Sequence, residues 1–174
     1  MMPSTAARQF FHTDAADIVG LLCLHKAKEG GESDVVSAHN LWNVLQAERP
    51  DIAEILSQPI WYFDRKGEVS QGQNGWVQKA VSRSIWRNLA DRCIRADLMR
   101  IDTFQVFYFH DGKVLSNYDP YFVRSIGRHV EAGLIPGLSE KQKEAIEVFE
   151  QTAQRLSLHM VLKVGDIQFV ADST

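Results

Sequence analysis

Apolar and polar positions alternate between short extended runs and helical stripes along this chain. Residues 10–24 are apolar in short runs (FF, then IVGLLCL) and predict two strands or one long one, with His12, Thr13 and Asp14 on the first part. Residues 25–34 are polar and carry Gly30–Gly31, a turn signal. Ser37 is placed to cap a helix whose buried stripe is Leu41, Val44 and Leu45. Pro50 interrupts that pattern and suits the first turn of a second helix, with Ile52, Ile55 and Leu56 on one face. Residues 60–63 read as extended, and 64–75 as loop.

The next stretch is unlike its surroundings. Between residues 76 and 102, Val77, Val81, Ile85, Leu89 and Cys93 recur every four positions, which predicts an amphipathic helix. Lys79, Arg83, Arg87, Arg92, Arg95 and Arg100 make it basic, but Asp91, Asp97 and Asp102 are interleaved, so a solvated face outweighs an anion-binding one. Residues 104–109 and 114–118 predict strands joined through Asp111–Gly112, a hairpin dipeptide. Asp119–Pro120 ends the pair, and one short helix follows, closing near Gly133. Ser139 with Gln142 forms a capping box for a long helix striped by Ala145, Ile146, Phe149, Ala153 and Leu156. Strands over 160–164 and 167–170 flank a turn at Gly165–Asp166.

Composition narrows the class. With 174 residues, 45% hydrophobic and 24% charged, the chain suits one globular domain with a sizeable core. A net charge of −3 gives no whole-chain basic footprint, which argues against a nucleic-acid partner. No apolar run has the length of a membrane span, and the first residues lack the apolar core of a secretory signal. Cys23 and Cys93 match no zinc or redox spacing and read as reduced thiols, so the expected compartment is the cytoplasm.

Among groups able to do chemistry, His12 and Asp14 come first. On a strand, positions i and i+2 share a face, so both side chains can meet one metal ion. A second histidine from a distant strand would complete a facial two-His-one-carboxylate iron site with open positions. A lone His-x-Asp is a weak signal, and its context gives it weight. FHTDAADIVGLLCL, KAKEGGES, VVSAHNLWNVLQAERPDIAEIL, FDRKGE, DPYFVRS, IPGLSEKQKEAIEVFE and VGDIQFV occur in this order. Together they resemble the TauD/TfdA-like family of Fe(II)/2-oxoglutarate-dependent dioxygenases, especially fungal members of small-molecule and secondary metabolism. The resemblance covers residues 10–73 and 104–170, with 74–102 an atypical insert in a single partial domain of 1–174.

That resemblance implies an α+β fold, a double-stranded β-helix (jelly-roll) core with flanking helices, here incomplete. It implies that His12 and Asp14 are iron ligands, and that Ser33, the hydroxyl of the Gly-Gly-x-Ser step, contacts the cosubstrate 2-oxoglutarate. The implied reaction is hydroxylation or desaturation of a small organic molecule, coupled to conversion of 2-oxoglutarate to succinate. Asp17 reads equally as a carboxylate that orients a ligand or as a strand-edge charge. His25, His39, His110, His129 and His159 read as structural or surface residues. The family's second histidine ligand follows the GDIQF strand within a His-Ala/Ser-Arg stretch whose arginine pairs with 2-oxoglutarate. Here GDIQFV is followed by ADST. The expectation is therefore a truncated product, with 74–102 either an insert or translated intron. The alternative function is a non-catalytic remnant or interaction module, and an open final strand offers an edge for pairing with a second copy.

Overall fold

The computed structural model describes residues 10–14, 16–64, 76–77, 106–110 and 112–171. Eight strands and five helices occur among them. In chain order these are β1 (Ile18–Leu22), β2 (Ser33–Val35), α1 (Ala38–Glu48), α2 (Pro50–Ser57), β3 (Phe63–Asp64), β4 (Trp76–Val77), β5 (Phe107–His110) and β6 (Lys113–Ser116). They continue with α3 (Pro120–Arg124), α4 (Gly127–Glu131), α5 (Glu140–Leu156), β7 (Leu158–Met160) and β8 (Ile167–Ala171). Pairing among these strands is antiparallel throughout, in four two-stranded ribbons: β1 with β8, β2 with β7, β3 with β4, and β5 with β6. Helices and antiparallel strands accord with the expected α+β class. The described strands do not close into a complete double-stranded β-helix.

The helices start where their caps dictate. Ser37 accepts from Asn40 N at the head of α1. Pro50 opens α2, where its missing N–H costs nothing. Ser139 and Gln142 satisfy each other's backbone donors reciprocally at the head of α5. Against these helices the core assembles around Leu41, Leu45, Ile52, Leu56, Trp61 and Phe149. Each such aliphatic or aromatic burial stabilises by roughly 1.5–3 kcal/mol. Trp42, Phe107, Phe149 and Tyr118 make tilted ring contacts in sequence at centroid distances of 5.2, 5.7 and 4.5 Å, joining α1, β5, α5 and the segment after β6. Trp61 is fully buried, and its indole N–H donates to Ile55 O at 3.2 Å.

Four expectations are corrected. His12 and Asp14 lie in irregular backbone before β1, not on a strand. The helix expected after Asp119–Pro120 is two short ones, α3 and α4. The strand expected at 160–164 lies earlier, at β7, because it pairs with β2. Residues 163–166 instead form a turn, in which Asp166 N donates to Lys163 O at 2.9 Å and Lys163 N to Asp166 Oδ2 at 2.8 Å. Finally, Trp76–Val77 is a strand against β3 and not the start of a helix. The rest of the helix expected over 76–102 lies outside the described residues.

Candidate metal and cosubstrate site

Thr13 fixes the position of the His12–Asp14 segment. Its backbone N–H donates to Tyr118 O at 2.8 Å, and its hydroxyl accepts from Tyr118 N at 2.9 Å. Tyr118 is itself immobilised: it is 1% exposed, packs on Phe149, and its phenol donates to Glu150 Oε1 at 3.2 Å. Burial, reinforced by the Glu150 carboxylate, holds that phenol protonated far above the usual tyrosine range. Thr13 therefore anchors an irregular segment to the aromatic core, and its two neighbours project toward solvent.

His12 Nδ1 lies 2.8 Å from the Phe10 carbonyl oxygen. A carbonyl can only accept, so Nδ1 carries the proton. In the neutral ring Nε2 then holds the lone pair, the state a metal requires. Nε2 is 3.9 Å from Asp14 Oδ1, with the side chains 31% and 42% exposed. Two donor bonds of about 2.1 Å span up to about 4.2 Å, so the pair is within reach of one shared divalent ion. The residues present thus fit two positions of a metal site. Among the described residues no group of three or more His, Cys, Asp or Glu side chains could hold a metal, so a third ligand is not found there. Asp17 sits exposed in the bend before β1.

Ser33 opens β2, after a turn in which Gly30 and Gly31 take φ of 72° and 78°, a left-handed conformation that favours glycine. Its hydroxyl is half-buried and donates to Gln168 Oε1 on β8 at 2.8 Å. This bond ties the β2–β7 ribbon to the β1–β8 ribbon. One position along, Asp34 faces His159 across β2–β7, with Oδ1 and Nδ1 2.7 Å apart. His159 thus has a carboxylate partner other than Asp14. His39 Nε2 accepts from Val114 N at 3.3 Å.

A second polar cluster lies at β3. The Asp64 side chain is fully buried, with Arg128 Nη2 and His129 Nε2 on its Oδ1. Burial pushes its carboxyl up, but the Arg128 guanidinium, helped by Ser125 and His129, overrides this and holds it below the usual range. Asp64 Oδ2 and Ser125 Oγ are the buried side-chain polar atoms left without a well-formed hydrogen bond among the described residues. A shallow groove bordered by Trp42, Pro50, Ala53 and Phe109 contains none of His12, Asp14 and Ser33.

Sequence reasoning missed Thr13, Asp64 and Gln168. Only Gln168 had a readable signal: it alternates with Ile167 and Phe169, which puts it on the opposite face of its strand.

Comparison with known proteins places the chain in a family. The family model for taurine catabolism dioxygenase TauD, TfdA family, matches residues 1–171. FR-33289 synthase of Streptomyces rubellomurinus is 30% identical over 165 residues, which are 94% of this chain and 40% of that protein. The taurine hydroxylase-like protein SAT17 of Stachybotrys chartarum is 31% identical over 161 residues, covering 92% of this chain and 34% of that protein. The chain therefore spans between a third and two fifths of the length of these relatives. In fold it is similar to the non-heme iron oxygenase OrfP, solved with Fe, succinate and (3R,4R)-dihydroxy-L-Arg. The TM-score is 0.50 at 12% identity, over 98% of this chain and 44% of that one. With the family model matched over nearly its whole length, the chain belongs to the TauD/TfdA family of taurine catabolism dioxygenases.

Proposed function

We propose that this chain contributes the first two iron ligands and a cosubstrate contact of an Fe(II)/2-oxoglutarate-dependent dioxygenase that hydroxylates or desaturates a small organic molecule. The observation that carries this reading is the His12–Asp14 pair: Nδ1 is tied to a carbonyl, and Nε2 lies 3.9 Å from a carboxylate oxygen. His12 and Asp14 would hold Fe(II), and Ser33 would donate to 2-oxoglutarate. Bound iron and 2-oxoglutarate would supply the oxidising chemistry. The protein's share is to position donors and exclude water, with Thr13 holding the ligand pair against Tyr118. The substrate is a small organic molecule of secondary metabolism, and the compartment is the cytoplasm, where a free thiol such as Cys23 stays reduced.

A second reading is a non-catalytic remnant or interaction module. It is favoured by the lack of a third metal ligand among the described residues and by exposed apolar side chains on β1 and β8, which suit pairing with a second copy. Turnover separates the two. With Fe(II), ascorbate, oxygen and 2-oxoglutarate, slow succinate formation that His12→Ala abolishes is expected of the oxygenase. Equal succinate from both proteins, or none from either, contradicts it and leaves the second reading.

A further inference from the structure

Along β8 the apolar side chains are exposed and the amide between them is buried. Ile167 and Phe169 are 59% and 73% exposed, whereas Gln168 between them is 9% exposed. A buried amide costs free energy unless it is well bonded. Gln168 has one strong partner, the Ser33 hydroxyl at 2.8 Å. Its other contact is Nε2 to Met160 Sδ at 3.7 Å, a weak acceptor.

We infer that Gln168 is a second 2-oxoglutarate-binding residue, working with Ser33 as a two-donor clamp on a cosubstrate carboxylate. As the pair stands, the Ser33 proton is spent on Gln168 Oε1. Turning the amide about its terminal torsion, which is broad and two-fold, brings Nε2 to the serine oxygen. The Ser33 O–H is then released, and a second Nε2 hydrogen remains to donate. The turn gives up the weak bond to Met160 and leaves Oε1 without its Ser33 donor, a cost that the two charge-assisted bonds to the anion must offset. Without an anion the Ser33 hydroxyl pairs with the Gln168 carbonyl; with one, both side chains donate to it in charge-assisted bonds, stronger than the neutral bond they replace. Because the bond joins β2 to β8, occupancy would also tie the two ribbons together.

The inference rests on the proposed function, and its test separates the two. The full chain is loaded with Mn(II) under anaerobic conditions, and 2-oxoglutarate is titrated in by calorimetry. Gln168→Leu is expected to weaken 2-oxoglutarate binding about tenfold, the loss of one charge-assisted donor. Mn(II) affinity should be unchanged, a split that a merely structural role would not produce. Gln168→Glu, nearly the same shape, should weaken binding more, since a carboxylate would face the anion, and it serves if the leucine variant does not fold. Folded variants that bind 2-oxoglutarate within twofold of the parent overturn the clamp and leave the proposed function standing. A parent chain that binds no 2-oxoglutarate overturns both.

Discussion

A histidine ligates a metal only through a nitrogen bearing a lone pair, and the Phe10 carbonyl decides which nitrogen that is in His12. The residue between the two ligands matters as much. Thr13→Val keeps the shape but removes the acceptor for Tyr118 N, and is expected to destabilise the chain by about 1–2 kcal/mol in urea melts. It should also weaken Mn(II) binding, since the anchor of both ligands is loosened. The His-x-Asp spacing was legible in the sequence. Its anchor was not, because Tyr118 is 105 positions away and the bond is to its backbone.

Asp64 gives a pH dependence whose sign is fixed. Its carboxyl is held below its ordinary value in the folded chain, so the unfolded chain binds the proton more readily. The stability it contributes is full above the unfolded pKa of about 3.9 and is lost as pH falls through the lower folded value. Asp64→Asn should therefore destabilise near neutral pH by about 1–3 kcal/mol and flatten the acid limb of the stability curve. The partly exposed Arg128 moderates this cost. An acid limb identical to the parent's would show that other carboxylates dominate it.

At the level of elements, helices were legible and strands less so, for a physical reason. A helix announces itself locally: Ser37, Pro50 and the Ser139–Gln142 pair each act within four residues, and each begins a helix where expected. Ser139→Ala removes one half of the capping box and should cost about 1 kcal/mol in a thermal or urea melt. An unchanged melt would mean the first turn of α5 is held by packing alone. A strand depends on a distant partner. β7 lies at Leu158–Met160 because Ser33–Val35 pairs with it, and nothing near residue 160 encodes that. The break between α3 and α4 was equally hidden, since Ser125 and Ile126 keep right-handed helical dihedrals while the bonding passes through a His129 N to Ile126 O turn.

At the scale of the whole molecule, the described residues hold a well-packed helical core and an apolar ribbon. Ile18, Leu21, Leu22, Ile167 and Phe169 of β1–β8 are all exposed. A two-stranded ribbon open on this scale is a template for association. Phe169→Lys is expected to reduce self-association in sedimentation velocity without lowering the melting temperature; an unchanged distribution would remove the second-copy proposal. Family membership was legible across the chain because its motifs keep their order. The facing of β8 was not, because its apolar residues point outward and its amide inward.

The most direct measurement is anaerobic titration of the purified chain with Fe(II) and 2-oxoglutarate, following the weak visible charge-transfer band of the ternary complex. The account predicts a saturable band that disappears in His12→Ala. A parent chain without the band, or a band that survives unchanged in His12→Ala, would contradict it.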